Sequence, residues 1–464
     1  MKVSCPTLRR SSLLMLLVYM FSFLFVYAVK PRGVPNISYL GILVIPLAIV
    51  VSGQIFSSFK IIIRHKIYWS LILIFYLLLL FSLSVIFIHG TGDLSILKTI
   101  LHSALSIPAC MVIASFLYID KKHFGIAGLT HFFGFLLKLQ ILFIIIMLLS
   151  SDIRDFIYYL IRSESQAERM AVYRGARGLG VSGSVAFGLA THLAVNYFFY
   201  FFLRYTNNKG RFSSGDYFWM FFGAIALLSA GRTAILGIAL LPFAVAMYNI
   251  QFRRFKPFSF LVKFGSFIFF ATVVLFFLAS FLGDSIAFER YVFYVMQPIS
   301  LYLETGSFEV SSVKALNDMY YYPGNETMIF GDGKYMAEGG GYYGSIDAGY
   351  MRYILFGGIF YQFIVAILFF GFLGLIYAAF RKTLSGAIWL ALGLLLMSFI
   401  FHYKGQFLMI AVSLNKFYFI AIFYCILLSS EALKKPPNLE IMRPRQPLRC
   451  SEAVESPESL PPRV

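Results

Sequence analysis

Apolar positions in this chain come in long unbroken runs, not in the strict alternation of a half-buried strand or the three-to-four spacing of a soluble amphipathic helix. Runs approaching 20 residues recur from end to end, the length a helix needs to cross a hydrocarbon core of ~30 Å. Twelve spans are predicted, at about 12–29, 37–56, 68–89, 98–119, 128–150, 182–203, 216–230, 234–250, 258–282, 350–379, 386–400 and 407–429. The seventh, eighth and eleventh are short. The expected architecture is an all-α polytopic membrane protein with about 12 transmembrane helices, a single transmembrane domain over 1–433. A Pro-rich tail over 434–464 has the composition of a disordered segment. The first run follows Arg9 and Arg10 and lacks a small-residue cleavage site, so it is expected to stay as a span.

Composition sharpens this. Hydrophobic residues make up 59% of the 464 and charged residues 13%, too few charges to cover a soluble surface. The net charge of +18 then speaks first of orientation, not of nucleic-acid affinity. With the N-terminus in the cytoplasm, the basic clusters at Lys60/Arg64/Lys66, Lys121/Lys122, Arg204/Lys209/Arg211, Arg253/Arg254/Lys256 and Arg381/Lys382 all fall inside, as does the basic tail. Both termini are then cytoplasmic, and two long loops, about 151–181 and 283–349, fall outside. Loops of that length are usually functional, and the second shows little helical pattern. The first holds Arg154, Arg162, Arg169, Arg174 and Arg177, against the orientation bias. The second holds nine acids against Arg290, Lys314 and Lys334. The four cysteines form no C-x-x-C, and the histidines lack ligand spacing, so neither a disulfide framework nor a metal site is expected.

The candidate chemistry lies at the outer ends of spans. "RGARGLGVSGSVAFG" puts Arg174 and Arg177 beside a glycine-rich segment, a good receptor for phosphate because guanidinium offers planar paired donors. Within it, Gly180, Ser184 and Gly188 are four apart and predict a small-residue face for close helix packing. "LLSAGRTAILG" holds Arg232 in a tight turn between two short spans, where a charge needs a fixed partner. Arg290 opens the long loop in "AFERYVFYV", and "MIFGDGKY" lies in mid-loop with the signature of a turn. "GGGYYGSIDAGYMRYILFGGIF" ends the loop, with Asp347 just before a span and Arg352 one turn into it. Asp347 suits either a general base or a helix N-cap. "FHYKGQF" adds His402 and Lys404 on the same side. Lys138 and Lys416 fall inside spans, where an amine is a functional candidate unless packing satisfies it.

Taken together these motifs resemble the Wzy-type O-antigen and capsule repeat-unit polymerases, and more distantly the O-antigen ligases. The resemblance is carried by "RGLGVSGS", by "LLSAGRTAILG", by the arginine opening a long outer loop, by "IFGDGKY" and by D-x-G-Y-x-R-x-x-x-x-G-G ending at Gly358. It covers roughly residues 170–360 by motif and the whole chain by topology. It implies a glycosyltransferase C-type membrane fold in the bacterial inner membrane, with the site on periplasmic loops. It also implies a metal-independent, inverting transfer of a growing glycan from undecaprenyl diphosphate to the sugar of a new lipid-linked repeat unit. No cofactor is expected, and a chain-length regulator protein is the expected partner.

The residues agree with that chemistry. A departing lipid diphosphate needs fixed cations in a low-dielectric site, and Arg174, Arg177, Arg232, Arg290 and Arg352 are the candidates. The acceptor hydroxyl needs a base: Asp347 first, then His402 and Glu338. Tyr320, Tyr321, Tyr322, Tyr342 and Tyr343 are candidates for stacking on sugar rings. Two other functions fit the same topology: an O-antigen ligase, which transfers glycan to the lipid A core, and a lipid-linked oligosaccharide flippase. The missing internal inverted repeat and the sparse intramembrane charge count against a flippase.

Overall fold

A computed structural model of the chain describes residues 12–33, 37, 53–121, 124–161, 179–184, 186–252, 286–307, 309–338 and 340–432. The described residues are helical and turn segments with one isolated antiparallel bridge, Met336 to Tyr342. Sixteen α-helices are described: α1 (Ser12–Val26), α2 (Gly53–Arg64), α3 (Lys66–His89), α4 (Ser95–Leu105), α5 (Ile107–Lys121), α6 (Ile126–Leu149), α7 (Ser151–Ile161), α8 (Phe187–Asn207), α9 (Ser214–Ala230), α10 (Ile235–Gln251), α11 (Ile286–Thr305), α12 (Ser311–Asp318), α13 (Asn325–Phe330), α14 (Gly349–Phe380), α15 (Ala387–Lys404) and α16 (Val412–Ala432).

Seven stretches are long and apolar enough to cross a membrane: Lys66–His89, Ser95–Lys121, Ile126–Leu149, Arg232–Gln251, Gly349–Phe380, Ala387–Lys404 and Val412–Glu431. This is a polytopic membrane architecture. Residues 38–52 of the expected span at 37–56 and all of that at 258–282 lie outside the described residues, as do Arg174, Arg177 and the tail. The expected span at 98–119 is broken at Ser106. Pro108 has no N–H to offer the carbonyl of Ala104, so the ladder cannot pass through this point.

The core is built around two helices. α16 packs against α1, α2, α4, α5, α6 and α14, and α8 against α6, α9, α10 and α15. Both are buried nearly all round, as expected of helices at the centre of a bundle. Their contacts are largely aromatic: Phe417 lies against Phe133 and Phe199, and Phe199 against Phe380. Lys138 is satisfied inside this core by the rings of Trp219 and Tyr200, at 5.1 and 5.7 Å from their centroids. Lys416 donates to the Phe25 carbonyl at 3.0 Å.

Two expectations are corrected. The loop at 283–349 is not poor in helix, since α11, α12 and α13 occupy much of it. Nor do Gly180, Ser184 and Gly188 share a helix face, because α8 starts only at Phe187. Gly180 instead packs on Gln140 and Ile144, and Ser184 lies over Gly188.

The polar ends of the bundle differ. At one end Tyr424 donates to the carbonyl of Gly125, Asn207 to Thr130, and Arg204 pairs with Asp216 at 3.0 Å. His65, Arg381 and Lys382 line one depression there. At the other end Gly349 lies against His402 and Gly405, Gly405 against the Phe187 ring, and Gly231 against Ala190 and the carbonyl of Ala186. Arg232 and Arg352 therefore lie at the same end, where the turn of α9–α10, the start of α8, the start of α14 and the end of α15 meet.

Candidate functional site

The site is organised by a break in α14. Gly358 has φ +70°, ψ −173°, outside helical space, and follows Gly357 at φ −142°. The carbonyls just ahead of the break accept bonds from outside the helix: Leu355 from Asp332 N–H at 2.7 Å, and Phe356 from Gly333 N–H at 2.9 Å. The mid-loop "IFGDGKY" thus replaces lost helix bonds, which explains how a break deep in an apolar helix is tolerated. Glycine is required on both sides. A Cβ on Gly331 would meet the backbone of Phe356 and Gly357, and one on Gly358 would run into the Ile329 carbonyl.

The same loop is clamped from the α3–α4 turn. Thr91 donates to the Gly333 carbonyl at 2.7 Å, and His89 Nε2 bonds the Phe330 carbonyl at 3.1 Å. Asp93 Oδ2 accepts from Tyr335 N–H and Met336 N–H at 2.6 and 2.7 Å, and its Oδ1 from Ser95 N–H at 3.0 Å. These bonds hold the Asp93 carboxyl below the usual carboxylate range against a burial effect that pushes it up. The chain then turns back, with Met336 bridged to Tyr342.

This hairpin delivers two rings to Arg352. The guanidinium carbon lies 4.0 Å from the Tyr335 ring centroid and 3.8 Å from that of Tyr342. Nη1 donates to Gln406 Oε1 at 3.2 Å and Nη2 to the Tyr335 carbonyl at 3.4 Å. Arg352 is 4% exposed, and among the described residues it makes no ion pair. A buried guanidinium held only by rings and neutral acceptors keeps its charge available to an anion.

Asp347 is the acid beside it. The N-cap of α14 is Ala348, and no side chain caps the helix, so Asp347 does not serve as the cap. Its N–H donates to Met319 Sδ at 3.4 Å. Among the described residues its carboxylate makes neither a hydrogen bond nor an ion pair. Burial pushes the Asp347 carboxyl up, and the positive charges of Arg352 and Lys404 offset only part of that. The Tyr335 hydroxyl, buried and without a hydrogen-bond partner among the described residues, is near enough for Asp347 to act on it electrostatically.

The other predicted residues divide. His402 is fully buried at the end of α15, and its Nδ1 accepts from Phe407 N–H at 3.2 Å and Leu408 N–H at 3.5 Å. With Nδ1 occupied, the proton sits on Nε2, which suits the ring to shaping the 405–411 turn rather than to taking a proton. Glu338 is almost fully exposed and faces Lys334 at 3.7 Å. Arg232 is half-buried, donating to Gln297 Oε1 at 3.2 Å and Ser312 Oγ at 3.4 Å, with the Tyr294 ring 4.7 Å away. Like Arg352 it makes no ion pair among the described residues. Arg290 lies on α11, with its side chain outside the described residues. Tyr320 stacks on Tyr403 at 4.7 Å, and Tyr321 and Tyr322 are exposed.

Sequence reasoning missed Asp93, Tyr335 and Gln406. Asp93 carried a signal, as the lone acid of "HGTGDLS" between two spans. Gln406 carried none. No protein-family model, curated protein or solved structure gives a significant match to the chain.

Proposed function

We propose that this chain is a membrane glycosyltransferase of the O-antigen or capsule polymerase type. It moves the growing glycan from undecaprenyl diphosphate to the sugar of a new lipid-linked repeat. The observation that carries this reading is the start of α14: a buried guanidinium that has no carboxylate partner among the described residues, beside a half-buried carboxylate that accepts no hydrogen bond from them. Glycosyl transfer from a diphosphate calls for a cation to balance the leaving group and a base for the acceptor hydroxyl, and this pair offers both. The acceptor hydroxyl attacks the anomeric carbon from the face opposite the leaving group, and the C–O bond to the diphosphate breaks. The hydroxyl proton passes to Asp347. The diphosphate departs with its charge balanced by Arg352, with Arg232 at the same end of the bundle. A carboxyl raised by burial is a better base than a solvated one, and a fixed cation in a dry site is worth about 3 kcal/mol to a developing anion.

The basic groups support the sidedness. Arg64, Lys66, Lys121, Arg204, Arg211, Arg381 and Lys382 belong to the end opposite Arg232 and Arg352, so the positive-inside rule makes that end cytoplasmic and the site periplasmic. Glycosyltransferase C-type topology, residence in the bacterial inner membrane and a chain-length regulator as partner belong to the same proposal.

The test is the lipopolysaccharide of a strain lacking the protein. Core capped by a single repeat is the expected pattern. Bare core would make the protein a ligase, and an unchanged ladder would remove both readings. Purified protein in vesicles should lengthen lipid-linked repeats, whereas movement of those lipids across the bilayer without lengthening would assign a flippase.

A further inference from the structure

A cavity of about 360 Å³ lies next to the Arg352 cluster, sharing only Gln406 with it. That volume is in the range of small-molecule sites. Its walls come from the chain after α1, from α4, from the segment leading into α8, and from residues 406–414.

Three features set its chemistry. Among the described residues no carboxylate lines it, whereas Lys30, His102 and His192 do. Behind them the buried Lys416 amine acts electrostatically on both imidazoles. Second, α8 begins here with Ala186 as N-cap and no side-chain cap, and Phe187 and Gly188 of its first turn form part of the wall. The N–H groups that open a 21-residue helix are therefore left for a ligand or water. Third, and independently, His192 is 2% exposed, lines the cavity, and among the described residues its Nε2 has no hydrogen-bond partner. Its ring is held by stacking on Tyr27 at 4.6 Å. Gln406 also lines the cavity. A buried polar nitrogen left unmet is unfavourable, and a bound ligand group relieves it.

We infer that this cavity is a binding site for a phosphate-class oxyanion, a phosphate ester or diphosphate, held by His192, Gln406, Lys30 and the first turn of α8. It differs from the Arg352 cluster in that no arginine lines it among the described residues, and it does not depend on the transfer reaction proposed above. The anion comes either from solution or from a lipid headgroup, and the two sources are separable.

The experiment titrates the purified full chain in detergent with inorganic pyrophosphate and, separately, with farnesyl diphosphate, reading binding by calorimetry. Saturable binding is expected. Equal affinity for the two probes identifies a free anion, and tighter binding of the prenyl compound identifies a lipid headgroup. His192→Phe keeps the stack on Tyr27 and loses the donor, so it should weaken binding about tenfold or more. Lys30→Glu, at the exposed mouth, should weaken it too and carries the test should His192→Phe fail to fold. Arg352→Gln removes the diphosphate contact proposed at the start of α14, so a saturable component that His192→Phe and Lys30→Glu weaken should remain in that variant. Absence of saturable binding overturns the inference. So does loss of binding in Arg352→Gln with His192→Phe and Lys30→Glu unchanged, which would move the anion to Arg352. No step reads glycan transfer, so failure here leaves the transferase reading standing, and failure of the lipopolysaccharide test leaves this one.

Discussion

The Asp93 carboxylate holds Tyr335 by its backbone N–H at 2.6 Å across 242 residues of sequence, and Tyr335 in turn holds Arg352 by its carbonyl and its ring. A carboxylate on a short turn between α3 and α4 therefore sets the position of a buried cation on α14. The bond geometry is that of a charge-assisted acceptor of main-chain donors.

Removing that acceptor should loosen the loop without unfolding the bundle. Asp93→Ala is expected to speed amide exchange over 331–343, with a local cost of about 1–3 kcal/mol. The pH dependence has a definite sign. The folded-state pKa lies below that of the unfolded chain, so the contribution is present above the ordinary carboxylate range and is lost as pH falls through the folded value. Exchange over 331–343 that is unchanged in Asp93→Ala would contradict the clamp.

Asp347 has the opposite sign. Its carboxyl is raised, so ionising it costs folding free energy as pH climbs from the unfolded to the folded value. Asp347→Asn should therefore be slightly more stable than the parent at neutral pH while losing transfer activity. In the parent, the acid limb of kcat/KM should lie above the ordinary aspartate value of about 4. An acid limb in the parent that persists in an active Asp347→Asn would assign the base elsewhere.

Arg352 and Arg232 test the cation's shape. Arg352→Lys keeps the charge but cannot stack flat against Tyr335 and Tyr342 or reach Gln406 and the Tyr335 carbonyl together. It should lower kcat by about 100-fold or more, with Arg352→Ala at least as poor. Arg232→Lys should likewise rescue poorly relative to Arg232→Ala. Full chain extension by either lysine variant would show that a point charge is enough.

Gly358→Ala addresses the break. The substitution places a side chain at positive φ and against the Ile329 carbonyl, and should cost about 3 kcal/mol. Thermal unfolding in detergent should show a lowered midpoint, accompanied by faster exchange at Asp332 and Gly333, whose N–H groups bond across this joint. Gly374→Ala, which meets nothing within 4 Å, is the control.

The long apolar runs determined by themselves that this chain is a helical membrane protein, because lipid leaves no other way to satisfy a backbone over 20 apolar residues. They also placed helices at 68–89, 128–150, 216–230, 234–250, 350–379 and 386–400 to within a few residues. Local chemistry was legible too: the turn at Gly331-Asp332-Gly333 and the arginine one turn into α14 stand where their sequence puts them. The helices inside the long loop were not legible, because α11 to α13 are short or amphipathic segments whose apolar faces have meaning only against their neighbours. Tertiary structure alone decided which residues surround Arg352. Tyr335 and Gln406 reach it from two separate segments, Asp93 holds Tyr335 from a third, and no local pattern records a contact made across 17, 54 or 242 positions. It also decided what surrounds Asp347 and His402. Whether an acid caps a helix or stands free, and whether an imidazole nitrogen is open or occupied, depends on which backbone groups packing brings within about 3 Å.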